Sequence, residues 1–273
     1  ATDVCSCKFN ILDNRVSYSI NIETAYENGD TDFGGNNLTY RIMQILKICM
    51  VNSLNSEVCM KFKDILNSFD LDTFRYVDNN GVKKFYELIE KEYEKAEKVL
   101  PTKFKKFESL SKEEYYKVRH NFYYLYTTAE KLKKLFYSKL GTLKVLVSCN
   151  ENERVDENTE VLILEKWRLS QNTGKGLEII KETENIMFNI FEIEVILKAD
   201  VYNIISKFMK SISLKNKFDL IKLTGQSCKI ELFRDSLKEF IPGRHIQFKR
   251  TDKDISNNFH LKMTCIEGCI KYL

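Results

Sequence analysis

Proline is almost missing from this chain: Pro101 and Pro242 are the two that occur in 273 residues. That scarcity leaves no proline- or serine-rich linker. No apolar run approaches the roughly 20 residues needed to cross a bilayer, and no basic stretch opening onto an apolar core is present, so neither a membrane segment nor a signal peptide is expected. An excess of one charge is missing too. The 43 basic and 39 acidic residues leave a net charge of +4, a balance that argues against a dedicated nucleic-acid binder. Histidine is scarce, and His120, His245 and His260 stand at no recognisable spacing from a nucleophile. They point to no independent hydrolytic chemistry.

Cys-x-x-Cys is also absent, although there are eight cysteines: Cys5, Cys7, Cys49, Cys59, Cys149, Cys228, Cys265 and Cys269. Cys5 and Cys7 fall on one face of a strand, and Cys265 and Cys269 on one face of a helix. A metal site would need a tighter pattern. The expectation is buried, reduced thiols and a cytoplasmic location.

Hydrophobic residues make up 43% and charged residues 30% of the chain, which describes a globular protein of one large or two smaller domains. Residues 3–11 and 15–24 alternate like the arms of a hairpin turned by Asp13-Asn14. A helix is expected from about Asn37. Residues 50–140 read as mostly helical, with one helix over Val82 to Leu100. Ser111 and Glu114 form a capping box ahead of apolar residues at 115, 118, 122, 125, 129, 132 and 136. Glu130, Lys133, Lys134 and Tyr137 share another face, whose bland reading is a solvated, salt-bridged stripe. Leu143–Cys149, Glu160–Leu164 and Ile186–Ile190 look like strands of a small antiparallel sheet, and Phe191–Lys210 like one or two helices. A strand over Phe218–Thr224, a Gly225 turn, a helix over Ile230–Ile241 and a short strand at Ile246–Lys249 follow α/β logic. A last helix is expected over Phe259–Tyr272. The two ends, 1–50 and 200–273, therefore form one discontinuous α/β subdomain. Residues 51–199 form a largely helical insertion with the small sheet.

The most informative stretch is Gly29-Asp30-Thr31-Asp32-Phe33-Gly34-Gly35-Asn36-Asn37, a Gly-Gly turn between a strand and a helix. Such a turn exposes backbone N–H groups and the positive end of a helix dipole, a ready site for phosphate. Three further pieces fall in a definite order around it: Thr2-Asp3-Val4 before a strand, Ala129-Glu130-Lys131-Leu132-Lys133-Lys134 on a helix, and Leu223-Thr224-Gly225-Gln226-Ser227-Cys228-Lys229-Ile230 at a strand-to-helix turn.

This ordered set resembles the second lobe of the ATPase domain of the DnaK-like seventy-kilodalton heat-shock chaperones, in the actin/sugar-kinase superfamily. That family carries a Gly-rich phosphate loop ending in Thr-Asp or Phe-Asp, a Gly-Asp-Thr-x-x-Gly-Gly turn, a Glu-x-x-Lys-Arg helix and a Gly-Gly-Ser-x-Arg-Ile turn. The resemblance implies an actin-like, ribonuclease H-like half-domain, α+β overall, that binds ATP or ADP with magnesium in the intact protein. It assigns Thr2, Gly34 and Gly35 to the phosphates. Asp3 takes the catalytic role and holds hydrated magnesium. Glu130, Lys133, Lys134, Tyr137, Gly225, Gln226, Ser227 and Lys229 surround the adenosine. The chain departs from the pattern at Gln226, at Lys229 and Lys134 in place of arginine, at Tyr137 in place of a small serine, and at Lys262 in place of an acidic pair.

The preceding strand with its Asp-x-Gly-Gly and the whole first lobe are not part of this sequence. The resemblance therefore implies a fragment that does not hydrolyse ATP alone and holds no nucleotide tightly. Its partners would be the first ATPase lobe and nucleotide-exchange or client proteins meeting the inserted subdomain, with no nucleic acid and no membrane. A scaffold that kept the fold and lost the nucleotide, and an unrelated α+β domain, are the competing readings.

Overall fold

The computed structural model describes residues 2–13, 15–55, 57–69, 72–109, 111–138, 141–150, 152–164, 168–181, 183–212, 219–241, 245–247 and 270. For Ser138, Ile212, Gln226, Lys229, His245 and Gln247 it describes the backbone only. The expected helix over Phe259–Tyr272, with Lys262, Cys265 and Cys269, lies outside the described residues apart from Ile270.

The alternation at the start makes a two-stranded antiparallel ribbon, β1 (Thr2–Asp13) and β2 (Tyr18–Asp30). Its register runs from Thr2 opposite Asp30 to Asp13 opposite Tyr18, with a bulge between Ser6 and Cys7. At the tip, Arg15 adopts φ 67° and its N–H donates to Asp13 Oδ1 at 2.8 Å, an Asx-type turn. Val4 and Tyr26, near the base, touch the core.

The chain then enters α1 (Gly35–Leu54), the central helix. Leu38, Ile42, Met43, Ile45, Leu46, Ile48 and Met50 are all fully buried there. A helix apolar on most of its faces must be enclosed, and α1 packs against α5 (Glu87–Val99), α6 (Lys112–Ser138) and α7 (Ile190–Ile212). Each such side chain withdrawn from water contributes about 1.5–3 kcal/mol. Between α1 and α5 lie three short helices, α2 (Phe62–Asn67), α3 (Thr73–Asn80) and α4 (Val82–Phe85).

The single helix expected over Val82 to Leu100 is broken at Tyr86, which holds φ −89° and ψ 1°. The reason is tertiary. The Tyr86 hydroxyl donates to the Ile196 carbonyl at 2.6 Å and accepts from the Asp200 N–H at 3.1 Å, locking the break onto α7. Helix α6 starts where the capping signal places it: the Glu114 N–H donates to Ser111 Oγ at 3.4 Å. Val118, Leu125, Ala129, Leu132 and Phe136 of the three-four pattern are buried.

A three-stranded sheet is ordered β4 (Thr159–Ile163), β3 (Lys144–Ser148), β7 (Ile186–Asn189). It is mixed, which corrects the expected antiparallel sheet. β3 pairs with β7 antiparallel but with β4 parallel. The polar segment after β3 is long enough to return along the strand, so β4 re-enters in the same direction; a tight hairpin turn could not do this. Two short strands absent from the sequence reading, β5 (Ser170–Asn172) and β6 (Leu177–Ile179), pair beside it. Buried Asn121 of α6 fastens β5: its amide donates to Ser170 O at 2.8 Å and accepts from Ser170 N at 2.8 Å.

Finally β8 (Leu220–Lys222) and β9 (His245–Gln247) run parallel, separated in sequence by α8 (Glu231–Phe240), as a β-α-β unit requires. The result is a mixed α+β fold of helices with small sheets.

Candidate functional site

The Gly-Gly turn is built by its own side chains. Asp30 Oδ1 accepts from the N–H groups of Asp32 at 2.9 Å and Phe33 at 3.1 Å, and Oδ2 accepts from Lys207 Nζ at 2.6 Å. The Lys207 bond is the main reason that the Asp30 carboxyl lies below its usual pKa, with the Asp32 amide adding to it. Asn37 then closes the turn onto α1: Oδ1 accepts from Gly34 N at 2.8 Å, and Nδ2 donates to Asp32 O at 2.9 Å. The helix begins one residue after extended Gly34, earlier than the expected Asn37, because this amide bond supplies the cap.

Strand β1 reaches the turn from the other side. Thr2 Oγ1 donates to Phe33 O at 3.1 Å. Asp3 is exposed, and a Cβ on the facing Gly29 would stand 2.5 Å from Asp3 Oδ1. A side chain at position 29 would turn that exposed carboxylate aside.

The stripe on α6 is not simply solvated. Lys133 Nζ donates to Gly35 O at 3.0 Å and to Thr39 Oγ1 at 2.6 Å, while pairing with Glu130 Oε2 at 2.6 Å. Thr39 Oγ1 donates in turn to Glu130 Oε2 at 2.5 Å. Burial works against the Glu130 carboxylate, but Lys133 and Thr39 outweigh it and hold its pKa below the usual range. Lys134 is mostly exposed and stands 3.5 Å from Glu130 Oε1.

The third piece arrives from the far end of the chain. Gly225 sits at φ 90°, a conformation that favours glycine, and opens a 3-10 turn over Gln226–Lys229. That turn delivers Ser227 so closely that a Cβ on Gly35 would meet Ser227 Oγ at 3.1 Å and Lys133 Nζ at 3.8 Å. Gly35, Thr39, Glu130, Lys133 and Ser227 thus converge from three distant segments. The cluster brings an ammonium, hydroxyls and the start of a long helix together, group types that recognise phosphate and ribose oxygens, with the ammonium engaged by Gly35 O, Thr39 Oγ1 and Glu130.

Other expected site residues stand differently. Tyr137 belongs to the core and not to the stripe. Its hydroxyl has no hydrogen-bond partner among the described residues, and burial pushes its pKa up. One turn beyond Lys133, the helix has rotated that position onto the buried side. The side chains of Gln226 and Lys229 lie outside the described residues. Thr39 was not singled out from the sequence. Its position four residues after Gly35, one helical turn up the same face, was the available signal.

A second polar cluster was also missed. Arg41 Nε donates to Asp200 Oδ2 at 2.9 Å and Nη1 to Glu90 Oε1 at 2.8 Å, with the guanidinium 3.6 Å above the Tyr86 ring. Burial is the main influence on Asp200 and raises its pKa despite Arg41. An open depression of about 670 Å³ lies here, lined by Arg41, Lys83, Lys84, Tyr86 and Glu90 among others, and none of the site residues expected from the sequence lines it. Among the described residues no group of three or more His, Cys, Asp or Glu side chains is placed to hold a metal ion, and no helix is long and apolar enough to cross a membrane. No protein-family model, curated protein or solved structure matches the chain.

Proposed function

We propose that this chain is the nucleotide-facing second lobe of a DnaK-like ATPase with an actin-like, ribonuclease H-like fold, and that it receives the adenosine and phosphate side of ATP. The observation that carries the reading is the meeting of Gly35, Lys133 and Ser227, residues from the three motifs that the resemblance ranks together. Lys133 Nζ lies 3.0 Å from Gly35 O, and Ser227 Oγ stands so close that a Cβ at position 35 would meet it at 3.1 Å.

In this reading Gly34 and Gly35 let phosphate approach the start of α1, where the helix dipole favours negative charge. Glu130 accepts from ribose hydroxyls. The stems of Lys133 and Lys134 cover the purine while their heads stay polar. Gly225 keeps the opposite wall flat, with Ser227 at its edge. Asp3 is a single exposed carboxylate, which suits Mg²⁺ held mainly through water; the ion would balance phosphate charge. The first lobe would complete the cleft and exclude water, so the intact protein couples nucleotide state to lobe movement and to partners at the inserted subdomain.

One observation favours a second reading, a scaffold without nucleotide. The Lys133 ammonium is already satisfied by Gly35, Thr39 and Glu130. Titration with a fluorescent ATP analogue separates the two. The ATPase reading expects weak saturable binding that Mg·ATP competes away and that Lys133→Ala weakens about tenfold, equivalent to about 1.4 kcal/mol. No binding at millimolar analogue leaves the scaffold.

A further inference from the structure

Six cysteines are described, and two of them differ from the rest. Burial pushes the Cys49 thiol up to about 12 and those of Cys59 and Cys228 up to about 11, which keeps them protonated and unreactive. Cys5 and Cys7 are exposed instead, on one face of β1, with their Sγ atoms 3.6 Å apart; the adjoining Cys7 thiol raises the Cys5 pKa, so access and proximity are what set this pair apart. Alternate residues of a strand have Cα atoms about 6.6 Å apart, at the upper end of the range that a disulfide spans. The ribbon relaxes at this point. The ladder shifts register between Ser6 and Cys7, where Tyr26 and Thr24 face adjacent residues and Ala25 has no partner. The extra residue is on β2, so β1 keeps its alternation and holds both cysteines on one face, while the ladder opposite them is locally disrupted.

We propose that Cys5 and Cys7 form a reversible dithiol–disulfide site that exchanges with low-molecular-weight disulfides. One thiolate attacks a sulfur of the external disulfide, forming a mixed disulfide and releasing the first small thiol. The second cysteine then attacks the protein sulfur of that mixed disulfide. The Cys5–Cys7 bond forms and the second small thiol leaves. The two protons of the cysteines end on the two released thiols, and two electrons pass from the dithiol to the external disulfide. Exposure and the long span make the bond easy to reduce again, as for labile disulfides generally. The exchange itself stands whether or not the chain binds a nucleotide.

The test is incubation of the reduced full chain with excess oxidised glutathione, followed by intact mass measurement and peptide mapping. The expected result is loss of two hydrogens on the peptide holding Cys5 and Cys7, reversed by dithiothreitol. Cys5→Ser and Cys7→Ser should each trap glutathione on the remaining cysteine, at least tenfold more than the wild type retains there. Three results overturn the proposal: stable glutathione on both cysteines of the wild type, disulfide-linked dimers through them, or oxidation of Cys49, Cys59 or Cys228 ahead of this pair. Both substitutions lie on an exposed face, so loss of folding does not obscure the outcome.

Discussion

Helix α1 and the β1–β2 ribbon follow each other in the chain, and each carries a regular row of apolar side chains. In α1 that row is sealed: Leu38, Ile42, Ile45 and Leu46 are 0% exposed. On the ribbon, Phe9 opposes Ile22 and Ile11 opposes Ile20 on one face, yet all four are between 57% and 64% exposed. The difference lies in neighbours. Helix α1 has α5, α6 and α7 around it, whereas the ribbon is a sheet of two strands, and two strands alone seldom suffice for stability. Periodicity tells which side chains share a face. It does not tell whether anything covers that face.

The comparison breaks if equal truncations cost the same in both places. Leu46→Ala should lower unfolding stability in urea by about 2–5 kcal/mol, because it leaves a cavity between helices. Ile20→Ala should change it by no more than about 0.5 kcal/mol, as for ordinary surface substitutions. A large loss at Ile20 would mean that the ribbon face is covered in solution.

A smaller contrast sets buried charge against exposed charge. Lys47 is fully buried and pairs with Glu97, which also accepts from the N–H groups of Thr102 and Lys103 at 2.7 Å each. Burial opposes the Glu97 carboxylate, but Lys47 and these amides prevail and lower its pKa. Protonating Glu97 is therefore harder in the folded chain than in the unfolded one. Its stabilisation is complete above the ordinary carboxylate range and is lost as pH falls through the lowered value. Glu97→Gln should cost about 1–3 kcal/mol near neutral pH and flatten the acid limb of the stability curve. Glu87→Gln, at the exposed Lys84–Glu87 pair, should leave the unfolding midpoint where it is. Smaller again, Ser111→Ala should cost about 1 kcal/mol through the lost cap of α6 and lower its helicity by circular dichroism. No change would show that packing alone sets that helix start.

Legibility in the sequence follows the range of the interactions. Ser111 and Glu114 announce α6 because capping is local, and the three-four spacing after them names its buried face. The break at Tyr86 leaves no local sign: the pattern from Val82 to Leu100 is continuous, and the cause is a hydrogen bond to Ile196. The parallel pairing of β3 and β4 is similarly hidden, since strand direction depends on the route of the polar connection. In the candidate site, Gly35, Glu130, Lys133 and Ser227 could be chosen through ordered motifs. Thr39 could not, because threonine inside a helix has many bland uses. Tyr137 was placed on the polar stripe because its spacing fits, and the core claimed it because its ring is apolar.

The most direct test of the central claim, that three distant segments form one nucleotide-facing site, is amide chemical-shift mapping of the full chain with Mg·ATP up to several millimolar. The account predicts saturable shifts at Gly35, Thr39, Lys133 and Ser227 that Lys133→Ala abolishes. Shifts absent from these residues, or confined to the Arg41, Tyr86 and Glu90 depression, would contradict it.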